Sequence, residues 1–80
     1  MGTKVRNVER WWNGSFGRLA RRDIWLRTTD DDGRWDVWIR DGGTEGRNSH
    51  TEYETEQEAR TALQKLINGQ PQSRWRKMPT

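Results

Sequence analysis

The stretch EQEARTALQKLIN, residues 56–68, sets apolar side chains at Ala59, Ala62, Leu63, Leu66 and Ile67. This is the i, i+3, i+4, i+7, i+8 spacing of one buried helical stripe. Arg60, Thr61, Gln64 and Lys65 fall on the other side. Thr55 and Glu58 make a capping box in front of it, and Gly69 followed by Pro71 stops it. Glu56 and Arg60 add an i,i+4 pair on the solvent side, worth about 0.2–0.5 kcal/mol. A one-sided helix has to bury its stripe against another layer, and the segments before it read as a sheet.

Those segments are DIWLRTT (23–29) and RWDVWIRD (34–41), a hairpin joined by DDDG (30–33), and HTEYE (50–54), a short third strand that brings Tyr53 over the sheet. The expected fold is α+β: a three-stranded antiparallel sheet packed on one face by a single C-terminal helix, with flexible termini. Residues 1–22 are expected as an N-terminal arm or edge strand, with a turn at Asn13 and Gly14. Residues 23–69 form the sheet-plus-helix domain, and 70–80 a disordered basic tail.

Alternation along the strands sorts the side chains. Ile24, Leu26, Trp35, Val37 and Ile39 share the face the helix covers, while Trp25, Arg27, Arg34, Asp36, Trp38 and Arg40 stand on the open face. Trp35 and Trp38, three positions apart in one strand, must therefore point opposite ways. Indoles alternating with guanidiniums on an exposed sheet surface suit a polar, anionic or aromatic partner. The alternative is internal: VERWWNGSFGRLARR (8–22) folds back and buries Trp38 against Trp11, Trp12 or Phe16.

A chain of 80 residues buries only about 60% of its unfolded surface. With 29% hydrophobic against 34% charged residues, the six tryptophans must supply much of the burial or serve a partner. The net charge of +3 is arranged in blocks of +5 over residues 1–27, −7 over 28–58 and +5 over 59–80. A sequence pI of about 10.0 is thus a weaker pointer to DNA than a uniformly basic chain would give. The ends and the middle are set to attract each other.

With no cysteine there is neither a disulfide framework nor a thiolate metal site, and no apolar run has the length of a signal sequence or membrane span. The expectation is a cytoplasmic protein that is not membrane-bound. The aspartates 30–32 lack the alternate spacing and the distal glutamate of a calcium loop, so no metal is expected. His50 is the single histidine, and no glycine-rich phosphate loop joins a strand to a helix, so neither catalysis nor a cofactor is expected. The chain is read as a monomer.

GRWDVWIRD, then Gly46 and Arg47, then YETEQEARTAL, resembles the plant ethylene-response-factor (Apetala-type) DNA-binding domain. It is also similar to the amino-terminal arm-binding domain of phage tyrosine recombinases, the integrase arm-type domain. The correspondence covers residues 23–67. In those families a three-stranded sheet lies in the DNA major groove, so the resemblance implies that Arg34, Arg40 and Arg47 match basic contact residues. Trp25 and Arg27 lie on the corresponding face of the first strand, while Trp35, Val37, Ile39 and Tyr53 match buried positions. Trp38 stands where the plant domains usually carry an acidic contact residue, and Ser49 where they place a contacting tryptophan.

Two functions follow, both non-enzymatic. In one, a small DNA-binding domain contacts duplex DNA through Trp25, Arg27, Arg34, Trp38, Arg40 and Arg47. In the other, the same Trp/Arg face serves an accessory or inhibitory module that binds a protein, for which tryptophan and arginine are the usual hot-spot residues. Single-stranded nucleic acid stacked on the indoles is a third reading.

Overall fold

The helix forms where its stripe and caps place it. In the computed structural model α1 runs from Glu56 to Asn68, with the Thr55 hydroxyl accepting a hydrogen bond from the Glu58 backbone N–H and Gly69 closing the C-terminus. Ala59 and Leu63 are buried, and Ala62, Leu66 and Ile67 pack around them. The structure describes residues 5–15, 21–29, 33–43, 46–70 and 73–79. Phe16, the aspartates 30–32 and Pro71 lie outside these. No helix among the described residues is long and apolar enough to cross a membrane.

The α+β class and the antiparallel sheet under one helix are as expected, but among the described residues the sheet has five strands, not three. They are β1 (Val5–Trp12), β2 (Arg22–Thr29), β3 (Trp35–Asp41), β4 (Arg47–Tyr53) and β5 (Arg76–Met78), in the spatial order β4-β3-β2-β1-β5. The expected hairpin is β2 and β3, and the third strand, β4, begins earlier than residue 50. The added strands come from the two basic ends of the chain. β1 pairs with β2 in the interior of the sheet, and β5, drawn from the tail expected to be disordered, pairs with β1 through Arg10–Met78, Trp11–Lys77 and Trp12–Arg76.

The turn at Asn13 and Gly14 couples these additions. Asn13 is buried, its side-chain oxygen accepts from the backbone N–H groups of Ser15 and Arg22, and its carbonyl accepts from that of Arg74. Gly14 has φ +77°, and a Cβ there would stand 2.8 Å from the Arg74 carbonyl oxygen. Only glycine lets the tail pass this close.

β1 also carries an irregularity. Its register against β2 shifts between Asn7 and Glu9, leaving Val8 as the extra residue of a bulge. Val8 packs on the helix-side core, and the Glu9 carboxylate accepts hydrogen bonds from Trp11 Nε1 and from Arg60 on α1. The bulge thus ties β1 to the helix. Ile24, Leu26, Val37, Ala59 and Leu63 form the buried core, and Trp11, Trp35, Trp75, Ile39 and Tyr53 pack against it.

Candidate binding face

The register puts three tryptophans, Trp11, Trp35 and Trp75, against the core, and leaves Trp12, Trp25 and Trp38 on the opposite face. Trp35 and Trp38 do point opposite ways. The segment Val5–Trp12 widens the sheet instead of folding back over it, so Trp38 is bracketed by side chains of its own face.

Cross-strand pairing arranges that face in rows. The central row runs Met78, Arg10, Trp25, Trp38, His50 across all five strands. On one side lies the row Asn7, Arg27, Asp36, Glu52, and on the other Arg76, Trp12, Asp23, Arg40, Asn48. An aromatic row is therefore flanked by two charged ones.

The guanidiniums lie over the rings. The Arg27 guanidinium carbon is 4.4 Å from the Trp38 ring centroid, and those of Arg10 and Arg40 are 5.1 and 5.0 Å from that of Trp25. Arg21 stands over Trp12 at 5.3 Å, and His50 stacks on Trp38 with ring centroids 5.6 Å apart. Each cation sits at a distance where the ring quadrupole attracts it.

Two aspartates hold this lattice. Asp36 accepts hydrogen bonds of 2.8 and 2.5 Å from Arg27, a two-pronged pairing that fixes the guanidinium plane, and His50 Nδ1 lies 3.5 Å from the same carboxylate. Asp23 is fully buried, with Arg21 Nε at 3.0 Å, Arg10 at 3.2 Å and Arg40 at 3.8 Å. Burial, the largest single influence on the Asp23 carboxyl, pushes its pKa up. Hydrogen bonds from Arg21 and Arg10 and the charges of both oppose it, and together they hold the group below its ordinary value.

Arg40 differs from the others. Its nearest carboxylate is at 3.8 Å, beyond hydrogen-bond length, and its Nε–H, like that of Arg10, is buried with no hydrogen-bond partner among the described residues. Beside it a depression of about 360 Å³ is lined by Asn7, Trp25, Arg27, Trp38, Arg40 and Asn48. A half-buried guanidinium lying against an indole keeps donors to offer.

Of the expected site residues, Trp25, Arg27, Trp38 and Arg40 come together here. Arg34 stands at the end of the same face, 3.6 Å from Glu52. Arg47 does not join them: it pairs with Asp41 at the start of β4, and alternation puts it with Ser49, Thr51 and Tyr53 on the helix side. Arg10, Asp23, Asn7, Asn48 and His50 belong to the face but were not expected there. The excess of base in residues 1–27 was the available signal for Arg10. Among the described residues, no three His, Cys, Asp or Glu side chains are grouped to hold a metal ion.

No protein-family model, curated protein or solved structure matches the chain.

Proposed function

We propose that the protein is a non-catalytic recognition module that binds a protein partner through the open face of its sheet, receiving an acidic side chain of that partner on Arg40 beside Trp25 and Trp38. The observation that carries this reading is the internal pairing of the face. Asp36 already holds Arg27, and Asp23 already draws in Arg10, Arg21 and Arg40. What remains on offer is a surface of indoles and clamped guanidiniums, the side chains most often found as interface hot spots. Little side-chain entropy is left to lose when it docks.

The duplex-DNA reading implied by the resemblance meets two obstacles. Five strands at about 4.8 Å spacing span roughly 19 Å from first to last, whereas the major groove is about 12 Å wide. In addition, Asp36 and Glu52 sit in one row of the face and repel phosphate. The reading keeps the cytoplasmic location expected from a cysteine-free sequence.

The test maps the face directly. Adding duplex DNA at low salt to isotopically labelled protein should leave the indole N–H resonances of Trp25 and Trp38 in place. A partner identified by affinity capture should broaden or shift them, and should bind Arg40→Ala and Trp38→Ala at least about tenfold more weakly while binding Thr61→Ala, on the helix, normally. Shifts of Trp25 and Trp38 with duplex DNA, at an affinity that falls steeply with salt, would overturn it in favour of DNA.

A further inference from the structure

The two outer strands of the sheet are finished differently. β5 is three residues long, carries Arg76 and Lys77 and is followed by Pro79, devices that discourage another strand from adding to an edge. β4 is less guarded: it is seven residues long, contains neither proline nor lysine, carries one arginine offset by one glutamate, and pairs with β3 in unbroken register from Arg47–Asp41 to Tyr53–Trp35. Six of its residues, 47–52, are exposed. Among the described residues no strand lies on its outer side.

The ladder shows which groups that edge offers. Thr29 N–H donates to the Arg34 carbonyl at 3.0 Å and Gly42 N–H to that of Arg21 at 2.8 Å, so the even-numbered residues of β3 direct their backbone groups to β2. The odd-numbered ones bond to β4, where their partners are Arg47, Ser49, Thr51 and Tyr53. Asn48, His50 and Glu52 accordingly turn both N–H and C=O outward. These three are also the β4 residues of the open face.

We infer that β4 is a self-association edge, and that a second copy of this chain pairs with it antiparallel about a two-fold axis at His50. This register sets His50 opposite its copy and Asn48 opposite Glu52 twice, three outward-facing pairs that exchange two hydrogen bonds each. Shifting it by two residues either way loses a pair. The side chains match as well: Arg47 faces Tyr53, Ser49 faces Thr51, and Asn48 offers amide donors to the Glu52 carboxylate. With one arginine and one glutamate the strand carries no net charge to oppose its copy. An isologous pairing of this kind closes on itself.

The consequence for the binding face is direct. Residues directly opposite across an antiparallel pair lie on the same side of the sheet, so both open faces point the same way. The row Trp25, Trp38, His50 continues through the axis into its copy. The inference is independent of which partner the face binds, and it replaces the monomer expected from the sequence.

Sedimentation or light scattering over a concentration series tests it, with Asn48 as the probe of register. The expected result is a mass of twice 9.6 kDa at high concentration. Asn48→Lys, which faces a lysine to Glu52 on each side of the axis, should tighten the dimer, and Asn48→Asp should loosen it, each by about threefold or more. His50→Pro removes a central outward N–H that the β3 ladder does not use, and should give a folded monomer. A monomer up to millimolar concentration would overturn the inference, and so would a dimer indifferent to both Asn48 substitutions.

Discussion

Arg27 lies across Trp38 with its guanidinium carbon 4.4 Å from the ring centroid, and Asp36 holds it there through two hydrogen bonds in the guanidinium plane. The carboxylate takes the edge of the cation and the indole takes its face, so the two partners do not compete. A lysine keeps the charge but has neither the fork nor the plane. Arg27→Lys should therefore cost about 1–2 kcal/mol in urea unfolding and alter the near-ultraviolet circular dichroism of Trp38. Asp36→Asn should produce the same spectral change, because it frees the same guanidinium.

Asp23 is the anchor of the face, fully buried beneath three guanidiniums that are each 23–29% exposed. Removing the carboxylate strands cations that can only partly rehydrate. Asp23→Asn should lower stability by about 2–4 kcal/mol, read as a lower denaturation midpoint with an unchanged slope. The pH dependence follows from the sign of the shift. The Asp23 carboxyl titrates below its ordinary value of 3.8 in the folded chain, as does that of Glu9 below 4.5, where burial raises the pKa but hydrogen bonds from Arg60 and Trp11 outweigh it. The unfolded chain thus binds protons more readily than the folded one. The stabilisation is fully present above about pH 5 and is lost as pH falls through the ordinary carboxyl range toward the folded values. Asp23→Asn should flatten that acid limb, while a variant whose acid limb matched that of wild type would show that other carboxyls set it.

Two tryptophans on the helix side separate packing from hydrogen bonding. Trp11 and Trp75 both lie against the core, but Trp11 Nε1 donates to Glu9 at 3.0 Å, whereas Trp75 Nε1 is buried with no partner among the described residues. A phenylalanine preserves most of the apolar contact in either place. Trp11→Phe should cost about 1–2 kcal/mol more than Trp75→Phe, because it leaves the partly buried Glu9 carboxylate short of a donor, while the second change removes an N–H that had none. Equal losses in thermal or urea unfolding would count against this account of Glu9.

The parts of the structure legible in the sequence are those in which local signals agree. For α1 the stripe, the cap and the stop glycine coincide, and in β2 and β3 strict alternation gives both the hairpin and the face of Trp25, Arg27, Trp38 and Arg40. β1 was obscured by its own bulge: in VRNVERWW the extra Val8 breaks the period-2 pattern, so Arg10 cannot be assigned to a face until the register with β2 is known. β5 is too short to have a period at all. It forms because β1 offers a ladder and Asn13 receives the Arg74 N–H, neither of which is written in residues 76–78. Asp23 was missed for the same reason, since its role depends on Arg10 from a strand the sequence did not resolve. Arg47 was misplaced because β4 starts earlier than expected, and alternation then carries it to the helix side.

The coupling between β1 and β5 rests on Gly14. With φ +77° the position lies in the left-handed region, and an added Cβ would press on the Arg74 carbonyl oxygen from 2.8 Å. An alanine there incurs about 1–2 kcal/mol of backbone strain and also has to push the tail away. Among the described residues the tail is held by three residue pairs to β1, one hydrogen bond to the turn at Asn13 and the packing of Trp75 on the core, and its strand β5 is the shortest in the sheet. Gly14→Ala should therefore release β5 before it unfolds the domain. Amide exchange of Arg76, Lys77 and Met78 should accelerate by at least about tenfold while that of Ile24 and Val37 in the core strands changes little. Loss of protection in β5 and the core strands together would show instead that the fifth strand is integral to the fold, and that the basic tail is joined to the domain by more than its edge.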